Sequence, residues 1–142
     1  MKLSGLAYLW AAPASLIGLM LASPVLAGYG RARRHSGVLE VSGGLPGWLL
    51  SRKLPFSGPV AAITFGHVVL ACSCAALSET RRHERVHVAQ YARWGALFLL
   101  AYPLASLWAW MRGKHAYLDN IFEVEARRQD EEIRRICQEI GI

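Results

Sequence analysis

The chain has 142 residues, 54% hydrophobic and 18% charged, with 16 Lys and Arg against 10 Asp and Glu and a formal net charge of +6. That length suits one domain with a modest core, and a charged fraction below the roughly 25% of an average soluble protein points toward a membrane. The basic residues are scattered beside apolar spans with no recognition-helix pattern, which argues against nucleic acid and for anionic lipid headgroups.

In chain order, no charged side chain occurs from Leu3 to Gly30, and about 20 apolar residues cross the hydrocarbon core as a helix. Residues 1–30 therefore read as a transmembrane anchor. Val25-Leu26-Ala27 before Gly28 has the small-residue form of a cleavage site, so a removed signal peptide is the alternative. The length of the apolar stretch favours the anchor. RARRH, Arg31 to His35, follows directly, and arginines flanking a span tend to stay in the cytoplasm. The amino terminus is thus expected outside, with residues 31–142 forming a cytoplasmic-side domain.

VLEVSGG, Val38 to Gly44, alternates apolar and polar residues and predicts a short strand and turn. Leu45 to Gly58, with Pro46 and Pro55, reads as loop. Val60 to Cys74 is uncharged and rich in β-branched residues, which predicts two short strands, AAITF and HVVLAC, bending at Gly66. A second membrane span is the alternative there. Cys72 and Cys74 would share one strand face as small buried side chains, and with Cys137 they make no disulfide framework.

Ser78 can cap a helix running through Trp94. Trp94 to Met111 is again uncharged, about 27 Å as a straight helix, with Pro103 near its middle and tryptophans at 94, 108 and 110. It reads as a membrane-contacting segment, either an inserted hairpin or a kinked buried helix. Asp119 or Asn120 can cap a charged helix reaching about Ile140. The expected fold class is α+β, mainly α.

HERVH, His83 to His87, lies within the first of these helices. Residues four apart share a helix face, so both imidazoles can point at a single ion. Neutral imidazole is a good zinc ligand, and three protein ligands leave the fourth tetrahedral position open for water. Glu84, next along the helix, would take the proton from that water, the His-Glu-x-x-His arrangement of zinc metallopeptidases. Gln90, one turn past His87, is placed to support a ligand. The strand before the motif suits an enzyme that holds an extended substrate by backbone pairing. The solvated-helix alternative leaves both histidines as surface positions.

Downstream, YLDNIFEVEA, Tyr117 to Ala126, opens the last helix. Here the sequence resembles the glutamate-ligand zincin metallopeptidases, in which a second helix supplies the third ligand from a Glu-x-x-Ala motif. Glu123-Val124-Glu125-Ala126 has that form. The resemblance implies Glu123 as third ligand with Glu125 in reserve, Zn2+ as cofactor and a peptide or protein as substrate. HERVHVAQYARWG with HAYLDNIFEVEA also looks like a group of small bacterial membrane-associated proteins, which implies an inner-membrane location. That likeness covers roughly Phe65 to Arg127. Two residues depart from the peptidase pattern: Arg85 stands between Glu84 and His87, and Arg127-Arg128 replace an expected acidic residue, with Asp130 nearby. Asn120 and Glu123 also have the spacing of a capping box. His67 and His115 read as strand-end and interfacial residues, and Tyr117 would steady an oxyanion only if the loop before Asp119 folds over the metal.

Three ligands in one site require Glu123 to lie on the same side of the membrane as the histidines. The 94–111 segment must then return or lie along the surface. The expectation is a membrane-anchored zinc-dependent hydrolase, with a non-catalytic membrane protein, its metal site structural or its charged helix a docking element, as the alternative.

Overall fold

The computed structural model describes residues 5–26, 30–51 and 60–141. They form a mainly α, α+β fold around a four-stranded mixed sheet. In chain order come α1 (Gly5–Trp10), α2 (Ala12–Leu26), β1 (Arg31–His35), β2 (Val38–Ser42), α3 (Gly44–Ser51), β3 (Ala62–Phe65) and β4 (Val68–Ala71). There follow α4 (Cys74–Trp94), a 3-10 turn over Gly95–Leu97, α5 (Phe98–Met111) and α6 (Ile121–Glu139).

The strand order is β1-β2-β4-β3: two antiparallel hairpins joined by a parallel pairing of β2 with β4. Period-2 alternation gives each hairpin two faces. On one, Val41, Val68 and Leu70 pack with Ala22 and Val25 of α2 and Leu50 of α3. On the other, Val38, Val69 and Ala71 pack with Leu77 and Val88 of α4. β2 and β4 are thus covered on both faces. Among the described residues, β3 keeps one edge unpaired.

The hairpin expected over 60–74 forms, bending at Gly66 with a φ of +60°, and the second-span alternative for that stretch is not what the fold adopts. A side chain at Gly66 would collide with Ser15 and the Ala11 carbonyl, so α2 crosses directly over this turn. Elsewhere the structure differs from expectation. RARRH, read as a basic flank, is an exposed edge strand. The 45–58 loop contains α3, whose Pro46 sits in the first turn where a missing amide costs nothing; residues 52–59 lie outside the described residues. α4 begins one turn earlier than Ser78, capped by Ser73, whose hydroxyl accepts from the Ala76 amide at 3.1 Å. Cys72 and Cys74 therefore share no strand face, since Cys72 follows β4 and Cys74 opens the helix.

The N-terminal apolar stretch is two helices, not one. Pro13 lacks the amide that would bond the carbonyl four residues earlier, and the helix breaks at Ala11. The 15 residues of α2 extend about 22 Å, short of the roughly 30 Å of a hydrocarbon core. Ala11, Ala14, Ala22 and Val25 are buried, while Leu6, Leu9, Trp10, Leu16 and Met20 are exposed. By length and apolarity the one described helical run able to cross a membrane is 74–111, with only 17% of its apolar window buried. Gly95 breaks that run with a φ of +61°. α5 then packs Phe98 against Tyr91 and Phe122, and brings Tyr102 beside His87.

Candidate metal centre

The faces of α4 have different neighbours. Leu77, Arg81, Arg85 and Val88 face the sheet, Gln90 and Arg93 face α6, and Thr80, His83, Glu84 and His87 face a cavity. The cavity has a volume of about 570 Å³ and is lined on its other sides by β3, α5 and the first turn of α6.

His83 and His87 occupy the cavity wall one turn apart, with their Nε2 atoms 3.1 Å from each other. Glu123, in the first turn of α6, places Oε2 3.2 Å from His83 Nε2 and Oε1 3.2 Å from His87 Nε2. Ligands of a tetrahedral zinc, with bonds of about 2.0–2.1 Å, stand about 3.3–3.4 Å apart. The three groups thus form a triangle in which each histidine meets a different oxygen of the Glu123 carboxylate. With one ligand atom per residue the donors lie within 4.8 Å of one another, and the histidine pair has to open by about 0.2–0.3 Å, so two imidazoles and a carboxylate make a donor set that suits zinc.

Protonation supports the same conclusion. Gln90 is fully buried, and its amide nitrogen donates to the Phe122 carbonyl at 3.1 Å and to Glu125 Oε2 at 2.8 Å. Its oxygen is therefore the atom facing His87 Nδ1, at 2.8 Å, and it must accept that proton. The Nε2 lone pair of His87 is left aimed into the triangle. Glu123 Oε2 is buried without a hydrogen bond among the described residues. An anion and an imidazole nitrogen held this close call for a cation between them, and a proton on His87 Nε2 would serve as a metal ion would: burial lowers the His87 pKa, but Glu123 and Glu84 outweigh burial and raise it.

Burial alone would raise the Glu123 carboxyl, but the adjoining His83 and His87 imidazoles outweigh it and hold the group well below the usual carboxylate range. Glu84 is shifted the other way. Burial raises it, partly opposed by His87 and by the Thr64 hydroxyl, which donates to Glu84 Oε2 at 2.6 Å. Thr64 belongs to β3 and Glu84 to α4, so the sheet edge and the motif helix meet at this bond.

Glu123 joins the histidines and does not serve as a capping-box residue. Asn120 caps α6 by accepting from the Phe122 amide at 2.9 Å, while its own amide donates to the Tyr117 carbonyl. Glu125 turns to Gln90 and, at the surface, to Arg93. Tyr117 lines the cavity, and burial with the nearby Glu123 charge raises its phenol. Asp119 is turned outward and closes a local turn by accepting from the His115 amide. His67 lies in the β3–β4 turn, stacked on Tyr8.

The two departures from the peptidase pattern have structural explanations. Arg85 points away from the cavity, bonding the buried Glu40 at 2.9 Å and the His35 carbonyl at 2.7 Å. It brings no charge to the site. Arg127 donates to the Leu118 carbonyl, and Asp130 pairs with Arg82 at 3.1 Å. Buried Ala126, the small residue of Glu-x-x-Ala, lies on the inner side of α6.

Two further residues escape a reading by motif. Tyr102 of α5 donates to Glu123 Oε1 at 2.6 Å, and nothing in an apolar run distinguishes it. Thr64 carries a fainter signal, as a hydroxyl in the middle of an otherwise apolar strand. Compared with protein-family models, curated proteins and solved structures, the chain matches none.

Proposed function

We propose that the protein is a membrane-anchored zinc-dependent hydrolase, acting most readily on a peptide bond. The observation that carries this reading is the convergence of His83, His87 and Glu123, whose ligand atoms lie within 4.8 Å of one another, with Glu84 in the wall of the same cavity. Bound there, zinc would supply a Lewis acid for a carbonyl oxygen and lower the pKa of a water toward neutrality.

The chain's own residues provide the rest. Thr64 holds one Glu84 oxygen and orients the carboxylate as general base. Gln90 holds His87 in its ligating tautomer. Tyr102 and Tyr117 place phenols beside Glu123 at the cavity wall. The unpaired edge of β3 offers backbone groups to an extended chain, the pairing by which an edge strand holds a peptide. The apolar N-terminal helices would serve as anchor, a role supported by the exposed Leu6, Leu9, Leu16 and Met20. The arginines of β1 would be drawn to the anionic cytoplasmic leaflet of a bacterial inner membrane, which would place the site on that side.

Elemental analysis of purified protein, wild type beside His83→Ala and Glu123→Ala, tests the ligands. About one zinc per chain, lost in both variants, is the expected result. Glu84→Gln should keep the zinc and lose hydrolysis of a mixed peptide library. Zinc retained with no wild-type hydrolysis would support the alternative of a structural metal site in a non-catalytic membrane protein.

A further inference from the structure

α5 has two faces with different fates. Its inner face is tied to the metal centre. The Tyr102 hydroxyl bonds Glu123, and fully buried Asn120, the cap of α6, donates to the Tyr102 carbonyl at 3.0 Å and to Ser106 Oγ at 2.7 Å. Three hydrogen bonds thus run from one and a half turns of α5 to the turn that presents Glu123.

Among the described residues, nothing covers the outer face. Leu97, Leu100, Leu104, Leu107, Trp108 and Trp110 are all 49–65% exposed, and at about 100° per residue they span an arc of roughly 160°. An apolar arc this wide on a helix is stable only against another apolar medium. Its ends indicate which one. Arg93 precedes the uncharged stretch and Arg112 and Lys114 follow it, with the Arg112 guanidinium 5.3 Å from the Trp108 ring. Tryptophan and cation at the edge of an apolar band match the headgroup zone of an anionic membrane. The surface also continues into the N-terminal helices. The Trp10 ring packs so closely on the α4–α5 corner that a side chain at Gly95 would lie 2.5 Å from it. α1 therefore reaches the corner at which α5 begins.

We infer that the outer face of α5 seats in the surface of an anionic lipid bilayer, and that this seat holds Glu123 in its ligating position through Tyr102 and Asn120. Lipid and metal then bind with positive linkage, each tightening the other. The linkage rests on the metal reading above; the lipid seat does not.

The full chain, reconstituted in vesicles of phosphatidylglycerol and phosphatidylcholine, provides both tests. Tryptophan emission is compared between wild type and Trp108→Phe/Trp110→Phe, with and without brominated acyl chains. The emission belonging to Trp108 and Trp110 should be quenched at least twofold by bromine and little by aqueous acrylamide. Absence of bromine quenching, or a cross-linked dimer shielding this face, overturns the seat. Zinc affinity, measured by chelator competition in the same vesicles, reads the linkage. Leu104→Glu/Leu107→Glu alters only exposed positions and should weaken zinc about fivefold or more, and the milder Leu104→Ser/Leu107→Ser should weaken it less. Tyr102→Phe should weaken zinc about tenfold and make it less sensitive to the outer-face changes. Unchanged zinc affinity in both outer-face variants, with bromine quenching lost, overturns the linkage. Quenching with no zinc binding in wild type keeps the seat, removes the linkage and separately refutes the hydrolase reading.

Discussion

Replacing Gln90 with leucine separates the role of a ligand's support from that of the ligand. Leucine nearly matches the volume of glutamine but removes the acceptor from His87 Nδ1 and the donor from Phe122 O and Glu125. Losing the partner that orients a metal-bound histidine costs about 10–100-fold in metal affinity. If free zinc is set at 100 times the wild-type Kd, binding stabilises the wild-type fold by about 2.7 kcal/mol, falling to about 1.4 kcal/mol for a tenfold loss and about 0.4 kcal/mol for a hundredfold loss. The apo fold should also weaken, by about 1–3 kcal/mol, because the Phe122 carbonyl is left buried without its donor. Denaturant melts with and without zinc, together with chelator competition, measure the two effects independently. An apo fold weakened as expected, but with an undiminished zinc increment, would refute the claim that Gln90 sets the tautomer of His87.

Substitutions at three other positions test other parts of the reasoning. Glu40→Ala removes a carboxylate that is 2% exposed and bonded to Arg81 and Arg85; it should destabilise the fold by about 1–3 kcal/mol and leave zinc affinity unchanged. A change in zinc affinity would mean that Arg85 acts on the site after all. Gly95→Ala forces a side chain onto a backbone at φ +61° and against the Trp10 indole, with an expected cost of about 1–3 kcal/mol or more; an unchanged melting temperature would remove the tight α4–α5 corner. Thr64→Val should preserve zinc stoichiometry and lower turnover, whereas Thr64→Ser should restore it, since only the hydroxyl reaches Glu84. Equal rates in all three proteins would deny Thr64 a positioning role.

The local periodicities, and therefore most elements, were determined by the sequence itself. Alternation and Gly66 specified the β3–β4 hairpin, a four-residue spacing put His83 and His87 on one helix face, and Asn120 marked the start of α6. The ends of elements were less legible. α4 starts at Ser73 because a serine hydroxyl reaches an amide three residues on, and an apolar run continuing the strand pattern hides that event.

Only tertiary structure decided which charges matter. Arg85 looked like an intrusion into the motif until its partner, Glu40 on the sheet, was known. Glu123 could have capped its helix or ligated, and what decides between them is the approach of α6 to α4 across buried Ala126 and Gln90. Tyr102 and Thr64 reach the site from α5 and β3, 21 and 20 residues from their partners. The N-terminal stretch was uniformly apolar in sequence, and apolarity alone does not distinguish the small residues that pack on the sheet from the leucines left outside. Pairings of this kind depend on how whole elements dock, and no local pattern encodes them.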